Sequence, residues 1–422
     1  MSPISQVRPG DWVLTHTGRY RRVREVLTRN YSGKFYSIKP LGTPFPLKVT
    51  QDHPLLVSSR SITKKGRLEK RPRAPVWKTP LELKRGDYLT MPVAKESRDI
   101  EVYEKEVILG QPSTGKRLKI RLSLRTEPDL FRLIGYYLAE GYVSKRTVGF
   151  SFGEHEREYI ADSARLLEKY FGKETKRSTI HNSTHVLLHS VVALQFFEGF
   201  GHGAENKKLP DWVMFAPTEK QRELVRGAWR GDGYLHSPTE GNRSTFFEYT
   251  TISRTLAFQL QQLLLRIGIV GQIALANHAN KRPNYVVTVR GRFVPAMADL
   301  MEITFEDKRV KTFSRFEIDT DFVYAPIEKI SSVEVRDEPV VNLSVEGDES
   351  YVAGNVTAHN CTDYCPEFAL EETVEYDIAE YTRDRLVWSP ERLAKQPVKK
   401  ADKYVFSVDT VGGASQVPVE KD

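Results

Sequence analysis

Two stretches of this chain share one grammar, 92 residues apart, and they restrict the folds open to it more than any other feature. Leu133-Ile134-Gly135-Tyr136-Tyr137-Leu138-Ala139-Glu140-Gly141 and Val225-Arg226-Gly227-Ala228-Trp229-Arg230-Gly231-Asp232-Gly233 each carry a mid-helix glycine, an acid five residues on, and a glycine directly after it. Glycine inside a helix costs about 1 kcal/mol against alanine. The same cost in the same register predicts two helices whose backbones approach closely. Thr126-Glu127-Pro128-Asp129 reads as an N-cap for the first, and Thr218-Glu219-Lys220-Gln221 as a capping box for the second. The glycine after each acid suits a helix C-terminus. Each carboxylate then opposes the sign of its helix dipole, which calls for a cation, and a divalent metal is expected. Strand-like alternation follows both helices, at Thr147-Val148-Gly149-Phe150-Ser151-Phe152 and at Ser244-Thr245-Phe246-Phe247-Glu248-Tyr249-Thr250. Each leads into a further helix, Ile160 to Tyr170 and Leu256 to Ile267. The expectation is a tandem αββαββα duplication over residues 126–311, divided at about 126–215 and 216–311.

The flanks read differently. Residues 1–95 and 312–360 are expected to form short strands of one β domain, with 96–125 as a linker. The phrase Gly10-Asp11-Trp12 returns as Gly86-Asp87-Tyr88, which suggests a duplicated β unit. Ser58 to Arg73 holds seven basic residues against one acid, and reads equally as a solvated loop or as a neutraliser of phosphates. Thr50 and His53 stand at a strand end; alone they read as a turn. At His359-Asn360-Cys361 three chemistries adjoin. An Asn amide can attack its own backbone carbonyl and cut the chain, a preceding His can act as general acid and base, and a following Cys supplies a nucleophile. The bland alternative is a polar loop. Residues 361–422 change character again, with an acidic stretch, a lysine patch and a glycine-rich end.

Composition narrows the classes. Hydrophobic residues make up 40% and charged residues 28% of the 422, as expected of a globular chain long enough for two or three domains. There is no apolar run of membrane-spanning length and no signal-peptide core at the start, so a cytoplasmic location without membrane is expected. A net charge of +8 points to a polyanionic partner. The two cysteines, Cys361 and Cys365, form neither a disulfide framework nor a zinc site.

Val341 to Ala353, followed by Val356 to Cys361, resembles the last two motif blocks of an intein, and Thr50-Gln51-Asp52-His53 resembles its second block. Leu133 to Gly141 and Val225 to Gly233 resemble the paired motifs of a LAGLIDADG homing endonuclease of the type embedded in inteins. The eponymous string is largely lost, but the glycine and acid positions hold. Asn206-Lys207-Lys208-Leu209-Pro210 resembles that family's Lys-x-Ile-Pro block, with Leu209 in place of Ile. The resemblance implies a mainly-β Hint (hedgehog/intein) horseshoe interrupted by an α+β LAGLIDADG endonuclease, with 361–422 as a C-extein fragment. It implies that Glu140 and Asp232 hold Mg²⁺ and that Lys207 stabilises charge near the phosphate. It implies that the β sheets read a long specific site in double-stranded DNA, and that a staggered double-strand cut follows. A monomer is expected. For splicing, it implies that His53 polarises the first scissile bond with help from Thr50, that His359 assists cyclisation of Asn360, and that Cys361 is the acceptor nucleophile; no cofactor is needed. The family's first block, with its Cys or Ser, is missing ahead of Pro3. Three explanations stay open: a split intein completed by an N-terminal fragment in trans, a truncated gene, or a decayed intein. A free-standing or decayed DNA-binding nuclease without splicing is the alternative reading.

Overall fold

The computed structural model describes residues 3–60, 72–84, 86–110, 117–237, 244–277, 282–304, 313–360, 408–410 and 413–415. The chain divides into two compact units, 1–359 and 360–422. Within the second, strands Val408–Thr410 and Gly413–Ser415 pair as a small hairpin. Among the described residues no helix is long and apolar enough to cross a membrane.

The first unit opens with β1 (Trp12–Leu14), β2 (Tyr20–Pro40), β3 (Leu47–Thr50), β4 (Leu55–Ser59), β5 (Val76–Lys78) and β6 (Asp87–Pro92). The Gly-Asp echo is a repeated turn. Gly10 and Gly86 adopt φ of +92° and +95°, a region costly for any residue with a Cβ. Asp11 accepts from the Arg8 amide, and Asp87 from the Lys84 amide, at 2.9 Å each. Both turns launch a strand.

The segment expected as a linker is an antiparallel hairpin, β7 (Val102–Gly110) on β8 (Arg117–Arg125). Alternating charges hid its apolar face. Val107, Leu122 and Leu124 are buried in the larger core, and Lys105 donates to the Gln195 carbonyl at 2.7 Å.

The first repeat follows as α1 (Pro128–Glu140), β9 (Gly141–Ser144), β10 (Thr147–Gly153), α2 (Arg157–Phe171), β11 (Lys176–Ile180), β12 (Ser183–His189) and α3 (Val191–Phe197). A single turn, α4 (Asp211–Met214), separates it from α5 (Thr218–Asp232), β13 (Gly233–His236), β14 (Phe246–Thr251), α6 (Arg254–Arg266), β15 (Gly271–Ala276), β16 (Asn284–Arg290) and α7 (Val294–Leu300). Each repeat holds a four-stranded antiparallel sheet, ordered β11-β12-β10-β9 and β13-β14-β16-β15. One aromatic-rich core fills both repeats.

The expected caps differ from the observed ones. Glu127 occupies the N-cap of α1 without a side-chain bond, and the Thr126 hydroxyl donates instead to the Ile100 carbonyl. Pro217 takes the N-cap of α5, so Thr218 is already helical. Gln221 is buried and donates to the Met214 carbonyl at 2.7 Å. Tertiary partners claimed both polar groups before the helix ends could.

The chain closes with β17 (Glu317–Ile318), β18 (Phe322–Val345), β19 (Ser350–Ala353) and β20 (Val356–His359). These join β1 to β6 in one ten-stranded sheet, through β18 on β2, β18 on β6 and β20 on β4. Short strands were expected; β2 and β18 instead run 21 and 24 residues, paired along their length across three irregularities. β-branched and aromatic residues recur along both strands between charged ones, which suits a long half-exposed pair, and bulges absorb the twist. A second core, including Val23, Ile38, Leu55, Val57, Leu89 and Leu343, lies under this sheet.

Candidate active site

Helices α1 and α5 pack backbone to backbone. A Cβ on Gly135 would lie 2.2 Å from the Leu224 carbonyl oxygen, and one on Gly227 2.2 Å from that of Arg132. No side chain fits either position. The glycines after the acids serve a different end from the one expected. Gly141 and Gly233 have φ of −81° and extended ψ, so they are not left-handed caps. Each helix runs straight into a strand, and a Cβ would strike Tyr137 or Trp229 respectively.

This seam brings Glu140 and Asp232 together. A Cβ on Gly231 would come within 2.9 Å of Glu140 Cγ, so the Glu140 side chain lies across the residue preceding Asp232. Burial pushes Glu140 up to about 7; the Asp232 and Glu156 charges add to the rise and Lys207 opposes it. Asp232 is reachable by solvent, yet walled by protein on most sides. Its carboxyl is raised by that desolvation, lowered by Lys207 and raised again by Glu156. Two like charges held in a partly dry site favour a bound cation.

Lys207 is buried, 7% exposed. Its ammonium donates to the carbonyls of Tyr137 and Leu138 at 2.8 Å and of Ala139 at 3.2 Å. The cation called for at the end of α1 is therefore supplied in part by the chain. Burial lowers Lys207 to about 8, against the pull of Asp232 and Glu140. Sequence reasoning passed over Glu156, the third carboxylate bearing on the pair. It opens α2 and accepts from the Gly153 amide at 2.7 Å.

Among the described residues no three His, Cys, Asp or Glu side chains cluster as a metal cage. The pair still fits Mg²⁺, which binds through one or two carboxylates and fills its shell with water and phosphate oxygens. A cavity of about 230 Å³ lies beside it, bordered by Leu138, Lys207, Asp232, Thr250 and Thr251.

A second cluster forms where β3, β4 and β20 meet. Thr50 and His53 are both buried, and the Thr50 carbonyl accepts from the His53 amide at 3.3 Å. His359 ends β20, and its amide donates to the Pro54 carbonyl at 3.1 Å. Burial lowers His53 to about 4; Asp52 opposes this and His359 adds to it. Sequence reasoning also passed over His16. Its Nδ1 lies 2.7 Å from the Ser350 hydroxyl, and Ser350 pairs with His359 across β19 and β20. The Trp77 ring stands between the two imidazoles, 5.9 Å from His16 and 4.6 Å from His359. Only the His-Thr-Gly turn between β1 and β2 could have pointed to His16. Asn360 follows β20 directly; Cys361 lies outside the described residues, as does most of the basic loop after Arg60.

The repeats and their seam are those of a LAGLIDADG-like domain, whose family pattern matches residues 127–198 and 219–299. The chain carries such a domain. Along most of its length it is similar to an uncharacterised protein of Methanocaldococcus jannaschii, 30% identical over 397 residues, covering 85% of this chain and 48% of that protein. An ATP-dependent DNA helicase of Thermococcus kodakarensis is 27% identical over 407 residues, covering 87% of this chain and 35% of the helicase. An iron-sulfur cluster assembly SufBD family protein of Mycobacterium tuberculosis is 28% identical over 386 residues, covering 86% and 41% respectively. The chain thus spans half or less of the length of these relatives. Among solved structures, that of I-DmoI in complex with DNA and Mn aligns at 11% identity and a TM-score of 0.34, covering 43% of this chain and 100% of that one.

Proposed function

We propose that this chain is a metal-dependent DNA endonuclease of the LAGLIDADG type, cutting both strands of a long specific site and carried within a self-processing β domain. The observation that carries the nuclease reading is the meeting of Glu140 and Asp232 at the glycine seam. The two carboxylates would hold Mg²⁺, one serving each strand. A divalent ion held there would neutralise charge on the scissile phosphate and favour ionisation of water. Lys207 ties off the end of α1 and so fixes the base of Glu140, while adding positive charge beneath the phosphate. The outward faces of the two sheets carry Tyr142, His185 and His189 on one side, and Tyr234, Glu248 and Arg290 on the other. Such side chains suit base edges in a major groove, and the net charge of +8 favours binding.

The test begins with a duplex selected on the protein from a randomised library in Ca²⁺. Glu140→Gln and Asp232→Asn are each expected to abolish double-strand cutting in Mg²⁺ while leaving affinity in Ca²⁺ within about two-fold, since binding rests on contacts elsewhere. Full cutting by both variants overturns the assignment.

A second activity, protein splicing from a Hint-type fold, is favoured by the relatives. A helicase and an iron-sulfur assembly protein align with this chain over 407 and 386 residues, less than half of either. A segment common to proteins of such different names is what an intervening element that removes itself would leave, and this supports the reading. Thr50, His53, His359 and Asn360 would supply the chemistry, with Cys361 as acceptor. Slow release of a fragment beginning at Cys361 is expected by mass spectrometry, reduced in His359→Ala and absent in Asn360→Ala. An added peptide bearing an upstream Cys and a first strand would convert release into ligation. A chain that stays whole in both settings leaves a nuclease on an inert β scaffold.

A further inference from the structure

Two halves built on one plan act as controls for each other. Gly141, after α1, pairs with Phe150 across β9 and β10, and Gly233, after α5, pairs with Tyr249 across β13 and β14. Phe150 and Tyr249 are both 0% exposed. In the first half a phenyl ring satisfies this position. The second half places a hydroxyl on the same ring, and that hydroxyl has no hydrogen-bond partner among the described residues. Leaving such a group buried and unpaired costs about 1–3 kcal/mol, so packing alone favours Phe.

The neighbouring position repeats the contrast. The Tyr137 hydroxyl donates to the Gly201 carbonyl at 3.0 Å. Its counterpart Trp229 packs 5.0 Å from the Tyr249 ring, and its indole N–H is unpartnered among the described residues. The second half therefore leaves two polar atoms unsatisfied where the first leaves none at the same two positions. Tyr249 also lies within the field of the acids: burial holds the proton on its phenol, and the Asp232 and Glu140 charges reinforce that. Its strand partner Gly233 directly follows Asp232, so the chain holds a phenolic donor one residue across the strand pair from a carboxylate that can accept.

We propose that the Tyr249 hydroxyl is a positioning group for the Asp232 half of the site, donating to a water lodged between itself and the Asp232 carboxylate. The water donates onward and holds that carboxylate in one orientation. The first half has only Phe150 there, so the two half-sites are inequivalent and the two DNA strands are cut at different rates. The inference rests on the nuclease reading above.

Tyr249→Phe restores the side chain that the first half already accommodates, so its melting temperature should not fall. On the selected duplex with each strand labelled, one strand is expected to be cut about ten-fold more slowly and the other at the wild-type rate, as loss of one positioned hydrogen bond implies. Mn²⁺ affinity of the free protein, read by electron paramagnetic resonance, should weaken about three-fold or more. Each strand cut at its own wild-type rate in the variant, or both strands slowed by the same factor, overturns the proposal. If the wild-type protein cuts neither strand, the nuclease reading fails, and the Mn²⁺ measurement alone decides: unchanged affinity then overturns the role of Tyr249.

Discussion

His53 is held in its neutral form. Burial lowers it from 6.5 to about 4, and the sign of the consequence is fixed. The unfolded chain takes up a proton on His53 as pH falls below its ordinary range, whereas the folded chain does not until near 4. The stability tied to the neutral ring is present above about pH 6.5 and is lost as pH falls toward 4, on the order of 3 kcal/mol in all. His53→Gln removes that dependence. Urea unfolding at about pH 7.5 and about pH 4.5 should show the wild type losing more stability than the variant between the two values. Equal losses would refute a buried neutral His53. At this scale the sequence was partly readable. Thr50, His53 and His359 stood in a recognisable spacing, and so did Glu140, Asp232 and Lys207. Residues that act through tertiary neighbours were silent: nothing local marks His16 against Ser350, Glu156 against the acid pair, or the missing partner of Tyr249.

The helix seam shows why some elements are legible. Gly135 and Gly227 face backbone carbonyls, so only glycine fits and the pattern recurs. Gly135→Ala and Gly227→Ala should each destabilise the fold by about 2–3 kcal/mol, since overpacking outweighs the roughly 1 kcal/mol that alanine gains as a helix former. Gly199→Ala is the control, because a Cβ there meets nothing within 4 Å; its unfolding midpoint should not fall below the wild-type value. A seam that absorbs alanine at Gly135 and Gly227 without loss would contradict the close approach. Other elements hid for physical reasons. The β7–β8 hairpin alternates charge with apolar residues, so its mixed composition resembled a tether. The cap sequences misled because Thr126 and Gln221 had stronger tertiary partners than the helix ends offered.

At the scale of the molecule, an insertion read from sequence suggests two independent bodies, but residues 1–359 form one unit. Met91, Val323 and Ala325, from the ten-stranded sheet, belong to the core that fills the repeats. Arg266 on α6 donates to the carbonyls of Ala94 at 3.2 Å, Glu96 at 2.7 Å and Ala216 at 3.2 Å, clamping the entry into the repeats. The Ile273 amide donates to the Gly42 carbonyl at 2.8 Å, and Asn355, in the turn between β19 and β20, donates to Gln261 at 2.6 Å. Local opening follows the boundaries of cooperative units, and none of these contacts survives if either part opens alone. Native-state hydrogen exchange should therefore give the slowest amides of the β4–β20 pairing and those of α1 and α5 opening free energies within about 1 kcal/mol of each other. Removing residues 96–311 with a short flexible bridge retains both partners of β2–β18, β6–β18 and β4–β20. The remaining sheet should fold, but with weaker protection, because Met91, Val323 and Ala325 lose their cover. Two widely separated opening energies in the intact chain would show instead that the β domain and the nuclease are merely tethered, with splicing and cutting free to be lost separately.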